Sequence, residues 1–271
     1  MSVHAINRNG RCLVVGSIAG VALCLLWFAI VGAPVARAEV AGAKEFDIDA
    51  AYNQVDTLVR LRHAEGTMPR LSDTRDAPTL LSFWDAKTFL REPPYTVQSL
   101  GQLMSMFEQQ NRVMKAYVFY AKGTASPADT ERNSVEFQDE IATGLAFLVR
   151  TTAAINPALG NFVQTLPPEQ MTEIRRAGLA QVRLGTVQML TGAAMTLRDS
   201  QYRANNQRLM TAAMAHSAAA IAEGLRPEQR AELSTTIRTA LPKVTAEAKA
   251  DLEVVLKALS QTACINLCLV K

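Results

Sequence analysis

The sequence predicts an all-α protein, a multi-helix bundle of about seven helices behind an N-terminal signal or anchor helix. Three observations predict it. Apolar residues recur at helical spacing through most of the chain after residue 43, no segment keeps a period-two alternation, and no Asn-Gly or Asp-Gly hairpin turn follows the leader.

The leader occupies residues 1–38. Arg8 and Arg11 precede an apolar run from Leu13 to Ala33, and Pro34 then stands before Ala36-Arg37-Ala38, the small-x-small pattern of a signal-peptidase site. The run exceeds the roughly 7–15 residues usual for a signal core, so it is also long enough to remain as a membrane anchor. Cleavage after Ala38 is the expectation, and either outcome places the rest outside the cytoplasm, periplasmic or secreted. The excess of 28 basic over 25 acidic residues is the leader's Arg8, Arg11 and Arg37. The remainder is balanced and offers no general attraction to nucleic acid or anionic lipid, leaving the N-terminal segment as the only membrane contact expected.

Residues 39–166 form an aromatic-rich helical half and 167–271 an Ala/Gly/Met-rich half, expected to pack together as one domain. After the leader, Tyr202 is the only aromatic beyond residue 162. Helices are expected at Ala43–Ala64 and, after a long loop containing Gly66, Pro69 and Pro78, at Leu80–Arg91 before Pro93-Pro94. Thr96–Lys122 follows, ended by Gly123, and Ser126-Pro127 supplies a cap and a first-turn proline for the next helix, expected to break at Asn156-Pro157. Beyond Pro168 lie a helix to Asp199, a second over Arg208–Leu225, a third from Pro227 ended or kinked by Pro242, and a last over Thr245–Thr262.

Gly178, Gly185 and Gly192 lie seven residues apart and drift little around a helix. Since a helical glycine costs roughly 1 kcal/mol against alanine, the stripe implies close packing, expected against Ala212, Ala215, Ala219 and Ala222 of the following helix. The other reading of those alanines is that alanine is simply the best helix former.

Leu166-Pro-Pro-Glu-Gln170 and Leu225-Arg-Pro-Glu-Gln229 echo each other. Pro-Glu at a helix start also arises from first-turn preferences alone. The echo is similar to the paired LTxxQ motifs of the small periplasmic Spy/CpxP helical chaperones. Leu166, Gln170, Leu225 and Gln229 match, Pro167 and Arg226 replace the threonines, and about ten residues are covered. The resemblance implies a chaperone-like alternative.

No nucleophile elbow, phosphate loop, dinucleotide fingerprint, zinc-protease motif or haem attachment site is present. The chain therefore leans towards a non-catalytic protein with no cofactor. Arg60, Arg62, His63, Arg70 and Arg75, interrupted by Asp73 and Asp76, surround the long loop. They form either a patch for a carboxylate or phosphate or a solvated charged loop. Glu136, Asp139 and Glu140 are expected on a solvated helix face. Met210 and Met214 share a face near His216, a candidate soft-metal (copper) set or core filler. Cys264 and Cys268 make a disulfide the leading expectation in an oxidising compartment. The expected function is a helical binding or assembly protein of the cell envelope. Its partner is another envelope protein or a small anionic ligand, met through the arginine loop and the aromatic segment Phe83–Tyr95. The alternative is a small-ligand or copper carrier.

Overall fold

The computed structural model describes residues 48–90, 93–261, 263–264 and 266–270, so the leader lies outside the described residues. Among these, ten α-helices and no strand occur: α1 (Ile48–Ala64), α2 (Ala77–Phe83), α3 (Ala86–Phe89), α4 (Val97–Val118), α5 (Pro127–Glu136), α6 (Gln138–Thr165), α7 (Glu173–Thr196), α8 (Ala204–Gly224), α9 (Pro227–Ala240) and α10 (Ala246–Gln261). The fold is an all-α bundle. The number exceeds the sequence expectation because Asp85 caps a new helix after α2, and the chain turns at Phe137 between α5 and α6. No described helix is long and apolar enough to cross a membrane.

The core is organised on α6, which lies between α4 and α8, while α10 covers the far side of α8. One apolar cluster runs from Ile48 to Val270 and crosses Leu166 without interruption. α6 earns its place by composition: Ile141, Leu145, Leu148, Ile155 and Leu159 keep helical spacing and are all buried. Contrary to expectation, it does not break at Pro157. The missing N–H and ring clash cost about 3 kcal/mol. Burial of Ala154, Ile155, Ala158 and Leu159 on both sides of the proline outweighs that local cost.

The helix ends have identifiable causes. α1 stops in a Schellman turn: Gly66 has φ +77°, its N–H reaches His63 O at 3.0 Å, and Thr67 N–H reaches Arg62 O at 2.9 Å. α5 starts in a capping box between Ser126 and Asp129, as the sequence indicates. α4 ends at Val118, short of Gly123, because Asn133 Nδ2 donates to Val118 O and Tyr120 O and takes over its final carbonyls.

The small residues act differently from expectation. α7 packs mainly against α9 and barely meets α8, whose partners are α6 and α10. Ala212 and Ala219 are exposed, and nothing lies close to the Cβ position of Gly185. Only a gap of about 10 Å³, bordered by Phe107, Ile155 and Met189, adjoins it. Two glycines elsewhere are tight: Gly144, where an added Cβ would overlap Met114 Sδ, and Gly224, where it would lie 2.6 Å from Asn156 Nδ2. Each receives a side chain rather than a neighbouring backbone.

Candidate functional site

The last turns of α1 carry Arg60, Arg62 and His63 and the following loop carries Arg70 and Arg75; of these, Arg62 and Arg70 are directed inward. Arg62 is 9% exposed; its fork meets Asp76, with Nη2 donating to Oδ1 at 2.6 Å and Nε at 3.1 Å, while Nη1 reaches Glu65 at 2.8 Å. Asp76 Oδ2 also accepts the Arg70 backbone N–H at 3.1 Å. Arg70 donates to Glu136 O and to Glu136 Oε1 at 2.6 Å, and its guanidinium lies 4.1 Å from the Phe137 ring centre. Leu71 N–H donates to Glu140 Oε1 at 2.6 Å, and Tyr117 Oη donates to Pro69 O at 3.0 Å. Arg75 pairs with Asp73, Arg60 with Asp56, and His63 stands edge-on to Tyr120. The five candidate residues are thus distributed over separate contacts: Arg62 and Arg70 are drawn into the fold, while Arg60, His63 and Arg75 stay exposed.

Two expectations are corrected. Of Glu136, Asp139 and Glu140, expected on a solvated face, Glu136 is exposed and Asp139 half-buried, while Glu140 is buried. Glu140 is 2% exposed, Glu136 holds Arg70, and Asp139 holds Arg203 at 2.9 Å and Asn206 at 2.8 Å across the α7–α8 turn. Burial pushes the Glu140 carboxyl above its ordinary range, opposed by the Leu71 N–H and by Arg70. The aromatic side chains of Phe83–Tyr95 mostly turn inward: Phe83, Trp84 and Phe89 are buried and Tyr95 is half-buried. Trp84 stacks obliquely on Tyr117, and Phe89 meets Phe147 edge-on.

Met210 and Met214 lie in the core, with Met210 Sδ accepting from Tyr202 Oη at 3.5 Å, while His216 is exposed on another side of α8. The three do not converge. Among the described residues no group of three or more His, Cys, Asp or Glu is placed to hold a metal.

At the other end of the molecule, Cys264 and Cys268 form a disulfide with Cα atoms 5.3 Å apart. The looped tail is fastened through backbone carbonyls: Arg183 Nη1 donates to Leu267 O and Arg226 Nη2 to Val270 O, each at 2.8 Å. Burial, with the nearby Arg226 charge, pushes the Arg183 guanidinium down to about 10. Leu267 also borders a polar cleft of about 150 Å³ with Asn156, Asn161, Gln164 and Glu223.

The remaining feature is the outward face of α7. Ala177, Gln181, Leu184, Gln188, Thr191 and Met195 follow each other in alternating steps of four and three and are exposed or half-buried. Between Arg176 and Arg198 the sole ionisable residue is Arg183, which is 3% exposed and points into the fold. α10 instead displays Glu247, Lys249, Glu253 and Lys257 on its outer side. No sequence pattern distinguished this face, because its apolar periodicity surrounds the helix and only packing decides which side remains open.

The echoed segments also separate. Leu166 ends α6 before a 3₁₀ turn at Pro168–Gln170, whereas Pro227 opens α9 directly. Ile174 is 63% exposed while its counterpart Leu233 is fully buried. No protein-family model matches the chain, and no curated protein or solved structure is significantly similar to it.

Proposed function

We propose that this is a non-catalytic helical binding or assembly protein of the cell envelope, exported by its leader and working through the outer face of α7. The observation that carries the reading is that uncharged, uncovered helix side. Charged side chains ordinarily keep a surface helix solvated and apart from other proteins. α7 omits them over about six turns and exposes Ile174 at 63% and Leu184 at 44%. The inward use of Arg62, Arg70, Glu136 and Glu140 supports a structural role for the loop rather than ligand capture. The Cys264–Cys268 bond supports an oxidising compartment.

Native purification of the tagged full-length chain from its own envelope, beside Leu184→Glu, tests the reading. A stoichiometric protein partner is expected with the parent chain and lost with the variant at unchanged thermal stability. Equal retention by both removes α7 as the working surface. The cleft beside Leu267 favours a second reading, carriage of a small polar molecule. Native mass spectrometry showing a bound small molecule lost on Asn161→Leu would support it.

A further inference from the structure

We infer that the cleft beside Leu267 takes a small organic cation, a short amine that also carries a hydroxyl group. The inference rests on the second reading above, carriage of a small polar molecule, and names the chemistry of that molecule.

Charge carries the first argument. The cleft lies between the C-terminal half of α6, the end of α8 and the tail. Its one ionisable lining residue is Glu223, and no Lys, Arg or His among the described residues lines it. α8 stops at Gly224, on the cleft wall, and a helix C-terminus adds a partial negative charge there. The arginines that hold the tail, Arg183 and Arg226, donate to its carbonyls and are not part of the lining. The local field therefore favours a positive guest.

The amides supply the second argument. Asn156, 5% exposed, gives its Nδ2 to Ala220 O at 3.2 Å, which leaves Oδ1 as an acceptor. Asn161 gives its Oδ1 to the Val97 N–H at 3.1 Å, which leaves Nδ2 as a donor. A hydroxyl group both donates and accepts, so it can satisfy the two amides together. Size sets the limit: about 150 Å³ holds on the order of five waters, or one short chain of atoms. Pro157 and Leu267 give the methylene groups between the two polar ends an apolar wall. A bare divalent cation is a poorer guest, since it asks for roughly six or more oxygens around one point, and the lining offers a single carboxylate.

Chemical-shift titration of the purified exported protein tests the inference, following the backbone amides of Asn161 and Gly224. The probe is the three-carbon amino alcohol aminopropanol, with amine and hydroxyl at opposite ends, and saturable shifts are expected. At equal ionic strength, propanediol, which lacks the charge, and hydroxypropanoate, which reverses it, should each bind roughly fivefold more weakly or worse. Propylamine, which lacks the hydroxyl, should also bind more weakly. Glu223→Gln should cost the amino alcohol roughly fivefold while leaving propanediol binding and Tm unchanged. Equal affinity for the amino alcohol and any of the three analogues, undiminished binding in Glu223→Gln, or no saturable shift with aminopropanol overturns the inference. Carriage itself is judged separately by the native mass spectrum: a neutral or anionic molecule retained there and lost on Asn161→Leu would keep the cleft as a carrier site without the cation.

Discussion

Two segments outside the long helices are both fastened by arginines, but by opposite chemistry. The loop after α1 is held by carboxylates, with the Arg62 fork on buried Asp76, Arg70 on Glu136, and Leu71 N–H on Glu140. The tail after α10 is held by dipoles and a covalent link: Arg183 and Arg226 each meet a backbone carbonyl, and Cys264–Cys268 closes the turn. A buried guanidinium opposite a carboxylate becomes a liability when the partner is removed, because a charge is left uncompensated. A buried guanidinium opposite a carbonyl carries its desolvation cost from the start. The depressed pKa of Arg183, against the firmly cationic Arg62, records the same difference.

The largest effect expected from this contrast is at Asp76. Asp76→Ala should lower Tm by roughly 10 °C, since it strands the Arg62 fork and releases the Arg70 backbone N–H together. Combining it with Arg62→Met should recover much of the loss, as replacing both members of a buried pair costs less than removing one. A single variant within a degree or two of the parent would show that Glu65 and Asp73 suffice to hold Arg62, and the contrast would fail.

The tail should respond less. Replacing both Cys264 and Cys268 by serine should lower Tm by roughly 5 °C, the value for closing so short a loop. Arg183→Met should fall within about 2 °C of the parent in either direction, because relief of desolvation offsets the lost bond to Leu267 O. A large loss at Arg183 would mean that the carbonyl clamp is as demanding as the carboxylate one.

Much of the fold could be read from the sequence wherever the deciding forces are local. Ser126 with Asp129, Gly66, and Pro242 after α9 set helix limits by capping and backbone geometry. What could not be read was partner choice. The glycines of α7 and alanines of α8 satisfy a close-packing rule equally well, yet Ala212 and Ala219 face solvent and α8 buries Met210, Met214 and Ala218 instead. Small residues permit approach without specifying who approaches, and the docking of α8 on α6, with α7 passed over, is invisible to local pattern. Pro157 misled for the same reason, its local penalty being exceeded by burial against neighbours that periodicity does not name. The arginines stand beside Asp73 and Asp76 in the sequence, and Asp76 indeed holds Arg62; what local pattern does not name is that Glu136 and Glu140 reach Arg70 and Leu71 from α5 and α6.

The smallest expected effect concerns which force dominates inside the carboxylate clamp. Glu140 accepts the Leu71 N–H and stands 4.0 Å from Arg70, contacts that favour its charged form, yet burial outweighs them and raises its pKa above the ordinary glutamate value. Asp139 adds to the rise. A raised folded-state pKa means that the folded protein binds the proton more tightly than the unfolded chain. The associated stability is therefore complete below the ordinary carboxylate range and is lost as pH climbs through the folded pKa. Glu140→Gln remains neutral at every pH and keeps an oxygen for the Leu71 N–H. It should match the parent near pH 4 and melt a degree or two higher near pH 8, the difference opening as Glu140 ionises in the parent. A parent more stable than Glu140→Gln near pH 8 would show that Arg70 outweighs burial, and that the loop clamp draws net stability from this charge rather than tolerating it.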